Sequence, residues 1–243
     1  AEYIYSCRQM GIQILPPDIN KSVGTFSVEN GNIRFGLTAI KSVGRPVIQA
    51  IIEERKERGE FKHLKDFIER MGGREVNKRT IENFIKAGVF DSLGGTRKQF
   101  MMIYIQIMDQ VNQERKYSMT GQMSLFDLVD DEQKKEFEIP LPKVGEYEKE
   151  NKLAFEKEVL GVYLTGHPLE DYEEKWKKSI SRTTLDFQID DETGRSRVRD
   201  GAKEIVGGMI TNKTIKYTRN NKTMAFLTIE DLMGTVEVVV FPR

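Results

Sequence analysis

The sequence predicts a multidomain α+β protein in which a helical domain precedes a short run of β-strands. Three observations carry this. Apolar residues recur at helical spacing between residues 45 and 116, and at a spacing of two from residue 205 onward. Between residues 117 and 145 proline, glycine and charge interrupt the helical period. Charge is also segregated: residues 1–121 carry 19 Lys/Arg against 14 Asp/Glu, residues 122–204 carry 14 against 21, and residues 205–243 carry 5 against 3. The net charge of zero therefore conceals a basic front, an acidic middle and a basic end, as separate modules would produce.

Composition sets outer bounds. At 243 residues, 38% hydrophobic and 31% charged, the chain can build more than one small core. It holds no apolar run near the roughly 18 residues that a membrane span requires. It has no basic-then-apolar leader. The lone Cys7 cannot form an internal disulfide and fits a reducing, cytoplasmic setting as a small hydrophobe. Because the chain starts at Ala1, without a methionine, the expectation is a fragment or a processed chain.

In residues 1–35, Pro16-Pro17 forbids a helix across "GIQILPPDIN". "GTFSVENGNIRFGL" alternates around Asn30-Gly31, a pair that tolerates the positive φ of a tight hairpin turn. "RPVIQAIIEERKERG" aligns Val47, Ile48, Ile51 and Ile52 and stops at Gly59. "HLKDFIERMGG" is a second short helix. "NKRTIENFIKAG" starts at Asn77, a good N-cap, and ends at Gly88. A long amphipathic helix opens at Thr96. After the linker, "EYEKENKLAFEKEVLGVYL" is a further helix with Gly166 and Pro168 as its stop signals. "EIVGGMITNKTIKYT", "KTMAFLTIED" and "TVEVVVFPR" read as three strands joined by "RNN" and "DLMG".

Gly36 to Ile51 has the layout of a helix-hairpin-helix: a short helix, a tight Ser42-Val43-Gly44 turn and a second helix. Such a turn exposes backbone N–H groups at a helix start, where the dipole also favours a phosphate. Lys41 and Arg45 flank it. Contacts of this kind hold a nucleic-acid backbone without reading its sequence. A plain helical turn stopped by Gly44 fits the same residues. Thr80 to Gly95 looks like a second hairpin, with Lys86 and Gly88 at its turn. There Phe90 replaces the small residue that a close phosphate needs, so this unit is expected mainly to pack against the first.

The three terminal strands resemble the opening of an OB-fold barrel, which grips single strands with basic and aromatic side chains. Lys213, Lys216, Tyr217, Arg219, Lys222 and Phe226 are the candidates, with Phe226 alternatively facing a barrel interior. Only three of five strands are present, so the barrel is expected to be cut off at Arg243.

Enzyme chemistry has little support. Asp130-Asp131 and Asp190-Asp191 are adjacent pairs in hydrophilic runs, and His63 and His167 stand at a helix start and a helix stop. There is no P-loop and no zinc-ligand spacing. No metal site and no cofactor are expected.

Five stretches in one order, "GIQILPPDIN", "IRFGLTAIKSVG", "VNKRTIENFIKAGVFDSLG", "EKEVLGVYLTGHPL" and "EIVGGMITNKTIKYTRNNKTMAFLTIEDLMGTVEVVVF", closely resemble the alpha subunit of bacterial DNA polymerase III, of the DnaE type. The resemblance covers nearly the whole chain. It implies five parts: the end of a fingers domain (residues 1–35), a tandem helix-hairpin-helix domain (36–116), a linker with a sliding-clamp-binding peptide (117–145), a helical connector (146–204) and the first strands of an OB domain (205–243). It implies a DNA-directed DNA polymerase whose Mg²⁺-binding aspartates lie in an upstream palm domain, so that this stretch is a non-catalytic part. One departure stands out. The family's first hairpin often reads Gly-Val-Gly, and here it reads Ser42-Val43-Gly44.

The resemblance also gives sense to "MTGQMSLFDLV", an apolar run between two polar segments. Gln122, Met123, Ser124, Leu125 and Phe126 resemble the peptide with which bacterial replication proteins hold the beta sliding clamp. The glutamine would enter a polar site while Leu125 and Phe126 fill an apolar pocket, as anchors of such interfaces do. A satellite cluster against the protein's own helices is the alternative. The implied partners are primer–template duplex, template single strand, the clamp and other holoenzyme subunits, with no membrane. A stand-alone nucleic-acid-binding protein and a purely structural fragment are the competing functions.

Overall fold

The structure, a computed structural model, describes residues 2–73, 76–119, 139–189 and 194–242. The chain divides into two compact units, residues 13–164 and residues 1–12 with 165–243. Among the described residues no helix is long and apolar enough to cross a membrane. The mixed α+β class holds: a helical region is followed by a three-stranded antiparallel sheet.

Residues 13–164 begin with a small sheet, β1 (Ile14–Leu15), β2 (Ser27–Glu29) and β3 (Asn32–Arg34), in the order β1-β3-β2. β2 and β3 form the expected hairpin, and Asn30 and Gly31 both take positive φ, 51° and 78°, in its turn. The strand delivers the chain to Gly36, where an added Cβ would lie 2.4 Å from the Thr25 carbonyl carbon; no side chain fits there.

Helix α2 (Arg45–Arg58) buries Val47, Ile48 and Ile51, while Ile52 is only half-buried. The next inward position is Glu54, buried and bound by Arg70 at 3.0 Å and Arg58 at 3.3 Å. Helix α3 (Leu64–Met71) is capped by His63, whose Nδ1 accepts from the Asp66 N–H. Helix α4 (Lys78–Ala87) is capped by Asn77, which accepts from the Thr80 N–H at 2.9 Å, and ends at Gly88 with φ 79°. Phe67, Phe84 and Phe90 meet edge-on or tilted, with ring centroids 5.0–6.2 Å apart, and form the core between these helices.

Helix α5 (Arg97–Met119) opens with a reciprocal cap: the Gln99 N–H donates to Thr96 Oγ1 and the Thr96 N–H to Gln99 Oε1. Glu146 supplies a second cap, its carboxylate accepting from the Arg97 and Lys98 N–H groups. Helix α6 (Lys149–Leu160) ends at Gly161, φ 77°, before the expected stops at Gly166 and Pro168. A glycine that takes the left-handed conformation at the first opportunity outweighs a later proline.

Arg97, 1% exposed, donates to Asp91 at 2.8 Å, to Glu156 at 3.2 Å and to the Lys86 carbonyl at 3.2 Å. Burial works against its charge, but the hydrogen bonds and charges of Asp91 and Glu156 outweigh that and raise its pKa, so the guanidinium stays ionised. This cluster joins the second hairpin, the start of α5 and α6.

The other unit contains α1 (Glu2–Gln9), a helix that the sequence pattern did not announce, and α7 (Glu173–Ser179), joined by a Tyr5–Glu173 hydrogen bond. Its sheet is a meander of β4 (Met209–Tyr217), β5 (Thr223–Glu230) and β6 (Thr235–Val240). β4 starts later than residue 204, because Gly207 packs on Trp176, whose Nε1 donates to the Gly207 carbonyl at 2.7 Å. The β4–β5 register shifts between Ile210 and Asn212. Buried Asp231 accepts from Thr184, Met233 and Gly234 and fixes the β5–β6 turn.

Candidate nucleic-acid interface

The first hairpin is built from a 3₁₀ turn, Leu37–Ala39, and the start of α2. Leu37 and Ile40 are buried and anchor one side, and Val47 and Ile48 anchor the other. Between them Lys41, Ser42, Gly44 and Arg45 are exposed and Val43 is half-buried. Gly44 is the N-cap of α2, and no side chain caps the helix. Pro46, in the first turn, has no N–H to leave unpaired. The turn thus offers solvent a helix N-terminus with Arg45 beside it, a combination that attracts an anion. Gly44 has ordinary φ and ψ of −75° and 148°, and a Cβ there would meet only Pro46 Cδ at 3.5 Å.

Ser42 takes φ 62°, the left-handed conformation that glycine adopts without penalty.

Lys41 is held differently from Arg45. Its N–H donates to the Val159 carbonyl at 2.9 Å, its ammonium to the Glu158 carbonyl at 2.8 Å, and its own carbonyl accepts from Asn83 Nδ2 at 2.8 Å. Asn83 and Glu158 went unnoticed in the sequence, and no local signal marks them, since they lie 42 and 117 residues from Lys41.

The second hairpin is closed to a phosphate. Gly88 is buried, and a Cβ on it would meet the Arg97 guanidinium at 2.2 Å and Asp91 Oδ2 at 2.8 Å. The glycine makes room for that ion pair rather than for a ligand. Lys86 pairs with Glu82 at 2.9 Å and Glu158 at 2.8 Å. Partial burial opposes its charge, but these two carboxylates prevail and raise its pKa. Lys86 and Gly88, at the turn of the second hairpin, are thus both engaged by the protein's own side chains.

In the sheet, register separates the expected single-strand residues. Lys216 stands across from Met224, and its ammonium lies 4.9 Å from the Phe226 ring centroid, so these share a face. Phe226 therefore lines the Lys216 face. Tyr217 and Lys213 point to the opposite face, by strand alternation. Arg219 and Lys222 lie in or beside the β4–β5 turn and are exposed. Residues 122–126, and the pairs Asp130-Asp131 and Asp190-Asp191, lie outside the described residues.

The sequence family described as "Helix-hairpin-helix motif" matches residues 11–100, a stretch that includes both hairpins. Matches to curated proteins extend over the whole chain. It is 35% identical to DNA polymerase III subunit alpha of Borreliella burgdorferi over 98% of the chain and 20% of that protein. It is 35% identical to that of Thermus aquaticus over 100% and 19%, and 36% identical to that of Aquifex aeolicus over 98% and 18%. Over its whole length the chain is thus similar to DNA polymerase III alpha subunits, and it spans about a fifth of the length of the curated relatives it matches.

Proposed function

We propose that this chain is the template-handling part of a bacterial DNA polymerase III alpha subunit, and that the whole protein is a DNA-directed DNA polymerase. The supporting observation is the exposed, uncapped start of α2 at Gly44-Arg45, within a chain whose own length is matched throughout by about a fifth of an alpha subunit. The turn holds duplex DNA through phosphate, with no base preference. Nucleotidyl transfer needs carboxylates converging on two metal ions; in this reading other parts of the alpha subunit supply them and their Mg²⁺.

Two further contacts belong to the same reading. Gln122 to Phe126 tether the polymerase to the sliding clamp, supported by a glutamine set ahead of an adjacent aliphatic–aromatic pair. β4 to β6 are the opening strands of an OB domain, with Lys216 and Phe226 facing single-stranded template and Arg219 and Lys222 beside it. Other subunits of the replicase and a cytoplasmic location follow from the same assignment.

The test is duplex binding at a series of salt concentrations. Arg45→Ala is expected to weaken binding of any sequence alike and to lower the salt slope by about 1, one phosphate contact fewer. An unchanged affinity and slope would refute the assignment.

A further inference from the structure

The conformation of the DNA-facing turn is secured largely from outside. Within it the Val43 N–H reaches the Ile40 carbonyl at a long 3.4 Å, and Ser42 sits at φ 62°. A serine stays there when its surroundings determine the backbone. Those surroundings converge on Lys41. α4 contributes Asn83, which binds the Lys41 carbonyl, and α6 contributes its last turn. The carbonyls of residues 157, 158 and 159 are orphaned by the end of α6. They accept, in order, from the Gly161 N–H, the Lys41 ammonium and the Lys41 N–H. The negative end of the α6 dipole favours that ammonium. Lys86, bound to the Glu158 carboxylate at 2.8 Å, ties α4 to the same turn of α6.

We propose that Lys41 is a positioning residue rather than a phosphate ligand. With Asn83 and the C-terminal turn of α6 it pre-forms the turn in which Arg45 and the α2 N-terminus take the phosphate. This rests on the DNA-binding reading above and assigns α6, which follows the linker in sequence, to the DNA-holding site itself. Held this way, the turn meets DNA already in its bound conformation, and removing an anchor makes binding carry the cost of ordering it.

The salt slope distinguishes the two roles, because it counts phosphates neutralised and is blind to pre-organisation. Duplex affinity of the intact chain is measured across salt for Arg45→Ala, Lys41→Met and Asn83→Ala, with hydrogen exchange followed at the amides of residues 42–44. Arg45→Ala should lose about one unit of slope. Lys41→Met and Asn83→Ala should each weaken binding roughly three- to tenfold, the value of one hydrogen bond, at unchanged slope and with faster exchange in the turn. Loss of about a unit of slope in Lys41→Met would overturn the inference and leave the DNA-binding reading standing. So would wild-type affinity in a folded Asn83→Ala. Should Asn83→Ala fail to fold, Lys41→Met decides alone, since its side chain is exposed. A wild-type chain without salt-dependent duplex binding would overturn both readings.

Discussion

Replacing Glu156 by alanine is expected to destabilise the helical unit strongly. Its side chain is 1% exposed, and it accepts from Arg97 Nη1 at 3.2 Å and from the Leu164 N–H at 2.9 Å. The first is a charge-assisted bond, worth about 1.5–3 kcal/mol; losing the second strands a buried amide, at about 1–3 kcal/mol. Together these approach the roughly 3–5 kcal/mol lost when one member of a buried ion pair is removed. For a unit of this size that lowers the melting temperature by on the order of 10 °C. Far-UV circular dichroism is the suitable signal: residues 13–164 hold most of the helix, and the single tryptophan, Trp176, lies in the other unit. Asp91→Asn is the internal comparison, because Asp91 is 40% exposed and water compensates for much of its loss. A loss below about 1 kcal/mol for Glu156→Ala, or one no larger than that of Asp91→Asn, would refute the claim that Arg97 depends on a buried partner.

Ser42→Gly is expected to raise stability by up to about 1 kcal/mol, relief of the left-handed φ being partly offset by added freedom in the unfolded chain; urea denaturation checks this, and destabilisation would contradict it. Asn77→Ala should cost about 1 kcal/mol by removing the α4 cap, read by the same titration. The double change Leu125→Ala with Phe126→Ala should abolish binding to a purified sliding clamp in surface plasmon resonance; retained binding would place the tether elsewhere.

The most legible parts of the fold were those specified by adjacent residues. Asn30-Gly31 announces its hairpin, and Asn77 and Gly88 mark both ends of α4, because turn and cap chemistry acts over two to four residues. α1 gave no such notice: "EYIYSCRQ" buries no residue fully, so it shows no apolar face. Glu54 was unreadable as an inward position because its partner Arg70 comes from the next helix. The same division runs through the candidate site. The turn at residues 41–45 is visible in the sequence, but the contacts of Lys41 cross the chain and leave no mark near it. In the sheet, alternation identifies strands, yet consecutive candidates such as Lys216 and Tyr217 must face opposite ways, which proximity in sequence hides.

Gly36 and Gly44 stand eight residues apart and are constrained by unrelated things. At Gly36 the backbone of Thr25 occupies the space of a Cβ, so every substitution there is an assembly defect. At Gly44 the backbone is ordinary and the surroundings open, and the fold has no use for a missing side chain. A saturation scan scored for folded protein should therefore exclude everything but glycine at 36 and accept many residues at 44. Scored for DNA retention, the same scan should narrow position 44 as well. The gap between the two scores at one position would isolate what the ligand demands from what the chain demands of itself.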